Sequence, residues 1–356
     1  MEIRSIDHVE LFVEDAEDTA GQLCDSFGFT LAGRGGPGTG LRDCESVLLR
    51  QNDITLLLTT ATGTDHRAAE YVKQHGDGVG LIGIAVDDAH AAFAEAVERG
   101  AVPMTPPEEF GPAGGRVTFA SVTGFGDVEH RFVSREKPEG PFAPIIEETG
   151  TREPGGILQR VDHFALCVPA GKLDETVRHY QEAFGLTQTF EERIVVGSQA
   201  MDSKVVQSTS EMVTFTIIEP DTTREPGQID AFVESHGGAG VQHVAFLTDD
   251  IANAVRTSTD RGVRFLTTPA SYYEMLPDRL GPIGVPVDEL RALNILADRD
   301  PSGVMLQIFT QSTHPRRTLF YELIDRRGAH TFGSNNIQAL YEAVERQQAE
   351  EAARLA

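Results

Sequence analysis

The sequence predicts an α+β protein made of two copies of one βαβββ-like module, and three observations predict it. The chain repeats itself. SIDHVELFVEDAEDTAGQLCDSFGFTLAG from Ser5 is answered by RVDHFALCVPAGKLDETVRHYQEAFGLTQ from Arg160, and QHGDGVGLIGIAVDDAHAAFAEAVERGA from Gln74 by SHGGAGVQHVAFLTDDIANAVRTSTDRGV from Ser235. An offset of roughly 160 residues is too long for a solenoid unit and fits a duplicated domain. Each copy alternates short apolar strands with helical stretches, its strands too many and too short for a doubly wound dinucleotide fold. At 356 residues the chain is long enough for two domains, each with its own core.

Each copy opens on an alternating strand, with Ile6, His8, Glu10 and Phe12 on one face of the first and Val161, His163, Ala165 and Cys167 on one face of the second. A helix follows and stops at Phe27-Gly28 or Phe184-Gly185, as helices stop at a left-handed glycine. Two strand runs come next: SVLLR and ITLLLTT, then SKVVQS and MVTFTIIEP. A short helix (AAEYVKQHG; IDAFVESHG), a strand (GLIGIAV; VQHVAFLT), a longer amphipathic helix and closing strands complete the copy. Such paired modules curl their sheet around a cavity, giving two barrel-like domains. The first is expected over residues 1–137 and the second over 157–356. Between them 138–156 reads as a linker, because EKPEGPFAPIIEETGTREPGG is rich in Pro, Gly and Glu and has no sustained period. Ile337, Leu340, Tyr341 and Val344 are spaced for a closing helix over about 334–350.

A formal charge of −25 argues against binding to nucleic acid or an anionic membrane, which need a basic surface. No apolar run approaches 18 residues, and MEIRSIDHVELF lacks the basic start and apolar stretch of a secretory signal. Cys24, Cys44 and Cys167 are scattered without close pairing, read as small apolar residues, and fit a reducing cytoplasm. No GxSxG, P-loop or CxxC pattern occurs, and GRGGPGTG lacks the strand-turn-helix setting of a phosphate cradle.

The chemistry gathers in the second copy. His163 lies mid-strand in VDHFAL, His243 mid-strand in VQHVAF and Glu322 in the apolar run TLFYELI. Inward residues on neighbouring strands of a barrel converge although far apart in sequence, and ionisable groups there are costly unless paired or metal-bound. Two imidazoles and one carboxylate are the ligand set of a ferrous ion with open positions. Each residue alone also reads as a satisfied core histidine or an edge-strand carboxylate. Where the second copy has His243, the first has an apolar residue near Leu81, so His8 reads as a relic or a core residue. His66, His75, His90, His130, His179, His236, His314 and His330 read as solvent-facing residues of loops and helix surfaces.

These segments resemble the vicinal-oxygen-chelate dioxygenases that act on 4-hydroxyphenylpyruvate, over essentially the whole chain and most strongly from Val161 to Arg346. The resemblance rests on DHFA at Asp162, GVQHVA at Gly240, LQIFT at Leu306, FYELI at Phe320 and FGSNNIQALYEAVE at Phe332. It implies one Fe(II) per chain held by His163, His243 and Glu322, with 4-hydroxyphenylpyruvate and O2 as partners and no external reductant, because the substrate carries its own α-keto acid. It also implies a pocket of Ser203, Thr216, Ile218, Gln228, Gln242, Phe309, Phe320, Phe332, Asn336, Ile337 and Tyr341. Gln307 is expected to touch substrate or to sit behind the iron, and Ser203 and Gln228 to lie near the ring hydroxyl. The family oxidises either the ring, giving homogentisate, or the benzylic carbon, giving 4-hydroxymandelate. Ring-oxidising members usually read P-[LI]-N-E-P and GNFxxLF. Here TIIEP and NNIQALY put Thr216, Ile218, Ile337 and Tyr341 in those places, the pattern of the benzylic branch. The ligand-free first copy is expected to close the back of the fold and to help form a homo-oligomer, a dimer or tetramer.

Overall fold

The computed structural model describes residues 1–138, 140–149, 155–333, 336, 338 and 339; Ile337, Tyr341 and most of the expected closing helix lie outside the described residues. The first copy forms β1 (Ile3–Phe12), α1 (Ala16–Phe27), β2 (Thr30–Gly35), β3 (Cys44–Gln51), β4 (Ile54–Ala61), α2 (Arg67–His75), β5 (Gly78–Val86), α3 (Ala89–Glu98), β6 (Pro103–Phe110), β7 (Val117–Phe125) and β8 (Val128–Arg135). A two-residue β9 (Glu147–Glu148) follows. The second copy forms β10 (Arg160–Cys167), α4 (Leu173–Phe184), β11 (Thr187–Val196), β12 (Gln199–Gln207), β13 (Thr214–Pro220), α5 (Gln228–His236), β14 (Gly240–Leu247), α6 (Ile251–Asp260), α7 (Ala270–Leu280), α8 (Val287–Leu293), β15 (Leu296–Arg299), β16 (Val304–Phe309) and β17 (Phe320–Arg327).

Each copy is thus two successive βαβββ units folded into one mixed sheet. The strand orders are β6-β7-β8-β5-β1-β4-β3-β2-β9 and β11-β12-β13-β10-β14-β17-β16-β15. Each sheet is centred on an antiparallel pair, β1 with β5 and β10 with β14, flanked by parallel neighbours. The helix stops fall where the glycines are: Gly28 and Gly185 sit at φ 78° and 70°, a left-handed conformation a side chain would strain. The strand runs read from the sequence become β3, β4, β12 and β13. β2 and β11 escaped that reading, because β11 alternates exposed and half-buried residues over most of its length and carries no continuous apolar face.

The predicted alternation of β1 and β10 gives way to burial on both faces, from His8 to Phe12 and from Val161 to Cys167. One face packs on helices and the other lines the inside of the curled sheet. The helix-side faces of the two copies do not keep separate cores. Val9, Leu11, Phe27 and Phe29 join Phe164, Phe215, Val244 and Phe246 in one cluster, with the Phe29 and Phe246 rings 6.1 Å apart. This fusion overturns the surface assignment of three histidines. His75, His130 and His236 are buried, His75 and His236 stacked at 4.2 Å and His130 bonded to the Tyr180 hydroxyl at 2.9 Å. Their helix-end or short-strand positions read as surface in a single module, and contact between the copies covers them.

Two further segments differ from the sequence reading. The linker is not a plain connection: β9 pairs with β2, and Phe142, Ala143 and Ile146 are buried against Leu48, Leu57 and Phe119 inside the first sheet. Residues 266–295, carrying α7 and α8, have no counterpart in the first copy. Phe265 bridges Thr310 where Pro103 pairs with Val122, and Asp298 pairs with Met305 where Phe110 pairs with Val117. The insertion therefore splits the strand equivalent to β6. No helix among the described residues is long and apolar enough to cross a membrane.

The buried histidines set an acid limit. Burial pushes the His236 imidazole down to about 4 and the His130 imidazole down to about 3, from an ordinary 6.5. Below pH 6.5 the unfolded chain therefore takes up protons that the folded chain refuses. Stability is complete above pH 6.5 and falls as the pH drops toward about 4, by on the order of 3 kcal/mol from His236 alone. Below pH 6.5, where the raised His163 no longer contributes a pH dependence, thermal unfolding midpoints should decline steadily toward pH 4.5; a flat profile there would contradict this assignment.

Candidate metal centre

Strand register gathers the site. Directly paired residues share a face of a sheet, and alternate residues along a strand return to it. Ala165 pairs with His243 and His163 with Ala245; Ala245 pairs with Glu322 and His243 with Phe320. Phe309 pairs with Glu322 and Gln307 with Ile324. On the other side Ala165 pairs with Thr216, Cys167 with Ile218, and Ile218 with Ser203. His163, His243, Glu322, Gln307, Phe309, Phe320, Ser203, Thr216 and Ile218 therefore line one inner face.

At its centre Glu322 Oε2 lies 3.4 Å from His163 Nε2 and 3.3 Å from His243 Nε2, with all three groups buried. Ligands at right angles on a metal with bonds of about 2.1 Å lie about 3 Å apart, so the donor set fits one divalent ion. Among the described residues this is the one group of three or more His, Cys, Asp or Glu side chains close enough to hold a metal. The outer ring nitrogens are tied down. His163 Nδ1 lies 2.8 Å from Asp162 Oδ1, and His243 Nδ1 lies 3.3 Å from Gln242 Oε1. In the neutral imidazoles, donation from Nδ1 to these acceptors leaves each Nε2 lone pair facing the centre. Glu322 Oε1 accepts from Gln307 Nε2 at 2.8 Å, which leaves Oε2 toward the imidazoles.

Asp162 and Arg326 were not anticipated as part of the site. Arg326 donates to both Asp162 carboxylate oxygens and to the Thr331 carbonyl, and its guanidinium lies 5.0 Å from the Phe332 ring centre. Phe332 in turn sits edge-on to His163 at 5.0 Å. The first copy repeats this arrangement: Asp7 Oδ1 lies 2.7 Å from His8 Nδ1, Arg135 donates to Asp7 and the Phe142 carbonyl, and Phe142 stands edge-on to His8 at 4.9 Å. The repeated Asp-His pair was the signal that could have revealed it. His8 is thus a core residue. By the same register the positions of His243 and Glu322 are filled by Leu81 and Arg131, and Arg131 is paired with the buried Glu10.

The remaining pocket residues divide. Ile218 belongs to an apolar cluster with Cys167, Ile194, Val196, Met201, Ile229 and Phe232. Ser203 is buried opposite it, and Thr216 Oγ1 is buried with no hydrogen-bond partner among the described residues. Phe320 stacks on the His243 ring at 4.9 Å, and Phe309 lies 5.8 Å from it. Asn336 Nδ2 donates to Gln307 Oε1 at 2.9 Å. Gln228 is the half-buried first residue of α5, next in sequence to Ile229 of that apolar cluster.

A duplicated βαβββ fold with one buried His-His-Glu set defines a metal-dependent enzyme of vicinal-oxygen-chelate type. Models of the Glyoxalase/Bleomycin resistance protein/Dioxygenase superfamily match residues 5–129 and 162–275. The 4-hydroxyphenylpyruvate dioxygenase of Yarrowia lipolytica is 30% identical over 97% of this chain and 92% of its own length. That of Danio rerio is 33% identical over 96% and 90%. A substituted variant of 4-hydroxymandelate synthase from Streptomyces coelicolor superposes with a TM-score of 0.90 at 43% identity, covering 98% of this chain and 100% of that one. The chain belongs to the 4-hydroxyphenylpyruvate dioxygenase and 4-hydroxymandelate synthase family of non-haem iron dioxygenases.

Burial opposes a proton on His163, but the Glu322 and Asp162 carboxylates overcome it and raise the imidazole to about 9. His243, without an aspartate behind it, is pushed down by burial. A metal entering the triad must therefore displace a proton from His163 at neutral pH. Metal affinity should rise as the pH is raised from 6 toward 9. Calorimetric titration in buffers of different ionisation enthalpy checks this, and affinity independent of pH with no proton release would contradict it.

Proposed function

We propose that this protein converts 4-hydroxyphenylpyruvate and O2 to 4-hydroxymandelate and CO2, with one Fe(II) held by His163, His243 and Glu322. Bound iron supplies the one-electron chemistry that lets dioxygen react with an organic acid. The protein's residues hold the metal, orient the substrate and exclude water. Gln307 and Asp162 fix the faces that Glu322 and His163 present. Phe309, Phe320 and Phe332 form aromatic walls around the imidazoles. The α-keto acid end of the substrate belongs at the triad, and the ring extends along the inner face toward Ser203, Thr216 and Ile218.

The observation that carries the choice of product is Ile218. Its side chain packs with Cys167, Met201, Ile229 and Phe232, at the position where ring-oxidising members of the family usually have an asparagine. Ile218 puts no amide at that position and leaves the buried Ser203 and Thr216 hydroxyls as its polar neighbours on the inner face. Ring position decides which carbon meets the oxidant, and a shift of about 1 Å redirects such a step. The identity of 43% to a mandelate synthase supports this reading. The names of the curated relatives, 30–33% identical, favour homogentisate instead.

The two products are isomers, so oxygen uptake, CO2 release and product mass are the same for both. Chromatographic separation decides. The account predicts 4-hydroxymandelate as the dominant product with Fe(II) and air, and homogentisate in its place would overturn it. Ile218→Asn introduces the missing amide; a polar change of this kind is worth about 1–3 kcal/mol, enough to move the product ratio tenfold toward ring oxidation.

A further inference from the structure

Behind the triad runs a polar chain that the first copy lacks. Glu322 Oε1 accepts from Gln307 Nε2 at 2.8 Å, Gln307 Oε1 accepts from Asn336 Nδ2 at 2.9 Å, and Asn336 Oδ1 lies 2.7 Å from the Tyr272 hydroxyl. Glu322, Gln307, Asn336 and Tyr272 are all buried. Tyr272 stands on α7, in the insertion that splits the counterpart of β6. In the first copy the position of Gln307 is Phe119, that of Glu322 is Arg131, and the insertion is missing. The Asp-His-Arg-Phe arrangement, by contrast, occurs in both copies, so it serves the scaffold with or without a metal. The chain through Tyr272 goes only with the triad.

The chain has a direction, fixed at both ends: the Glu322 carboxylate only accepts, and the Tyr272 hydroxyl donates. Asparagine and glutamine amides each offer a donor end and an acceptor end, and either can face a neighbour unless the network decides. A tyrosine hydroxyl has one proton. Here its oxygen takes the Ala297 N–H at 2.8 Å and Arg279 Nη2 at 3.1 Å, while the Ala297 carbonyl already accepts from Arg279 Nη2 at 2.6 Å. The Ala297 carbonyl, 2.8 Å away, is a second acceptor in reach, but the Ala297 N–H and Arg279 occupy both lone pairs of the hydroxyl, so the Asn336 atom 2.7 Å from it can only accept and takes the proton through Oδ1. That forces Asn336 Nδ2 toward Gln307 Oε1, and Gln307 Nε2 toward Glu322 Oε1. With one carboxylate oxygen occupied, the other is left for the metal.

We propose that Tyr272 is a positioning residue for the metal centre, fixing through Asn336 and Gln307 which oxygen of Glu322 faces the ion. The inference rests on the proposed metal reading of the triad. Removing the hydroxyl takes the donor from Asn336 Oδ1 and loosens the amide that holds Gln307 against Glu322. Partners behind a metal ligand set its orientation, and their loss typically costs 10–100-fold in affinity.

The test titrates Co(II) into the metal-free full-length protein, its parent form compared with Tyr272→Phe and Tyr273→Phe, and reads visible absorption and thermal midpoint. Tyr273 is the neighbouring buried residue on α7, outside the chain. Tyr272→Phe should weaken Co(II) binding about tenfold and change the absorption envelope, while Tyr273→Phe matches the parent. A parent-like spectrum and affinity in Tyr272→Phe would overturn the proposal, as would equal losses in both variants. A parent protein that binds no Co(II) would instead sink the metal reading. If Tyr272→Phe fails to fold, Asn336→Ser breaks the same chain one link nearer Glu322 and must give the same spectral change; parent-like binding there would overturn the proposal.

Discussion

Three ionisable side chains converge on one point inside a sheet, and most of the second copy is arranged around that fact. Two imidazoles buried within 3.4 Å of one carboxylate oxygen are unfavourable unless a cation or a shared proton compensates them. Their convergence needs the antiparallel pairing of β10 with β14, the parallel pairing of β14 with β17 and the register of both. A slip of one residue in either ladder would turn a ligand to the helix side. The shared core of the two copies holds those ladders in place: Phe246 packs against Phe29 and Tyr321 against Phe27 of the first copy.

The first copy is an internal comparison for what the site requires. It keeps the curled sheet, the Asp-His pair, its arginine and the phenylalanine over the histidine. At the positions of His243 and Glu322 it has Leu81 and Arg131, the latter paired with the buried Glu10. Phe142, Ala143 and Ile146 from the segment after β8 then fill the inner face. In the second copy the chain after β17 also places a phenylalanine over the histidine, but Asn336 joins the chain from Tyr272 to Glu322. The same scaffold has thus been closed with apolar side chains in one half and built around a polar centre in the other.

Much of this was legible in the sequence because duplication and mid-strand polarity are sequence properties. The repeat, the helix-stopping glycines and the three ligand positions stand out as residues in unusual places. The register then brings Ser203, Thr216, Ile218, Gln307, Phe309 and Phe320 onto one inner face. What escaped depends on contacts between distant segments. His75 and His236 become interior only where the copies meet, and the Pro- and Gly-rich segment around Phe142 looks like a linker until its apolar residues find an inner face. The insertion carrying Tyr272 breaks the repeat, so a reading based on repetition passes over it. Nothing local marks Tyr272 as more than a core aromatic.

The central claim is that one inner face has become a metal centre and the other has lost that capacity through Leu81, Arg131 and Phe142. Metal stoichiometry tests it directly. Metal-free protein equilibrated with excess Fe(II) under anaerobic conditions, freed of loose ion and analysed for metal, should hold one iron per chain. His8→Ala should leave that value unchanged, and His243→Ala should abolish tight binding. Two tightly held irons per chain, or full occupancy after loss of His243, would contradict the account.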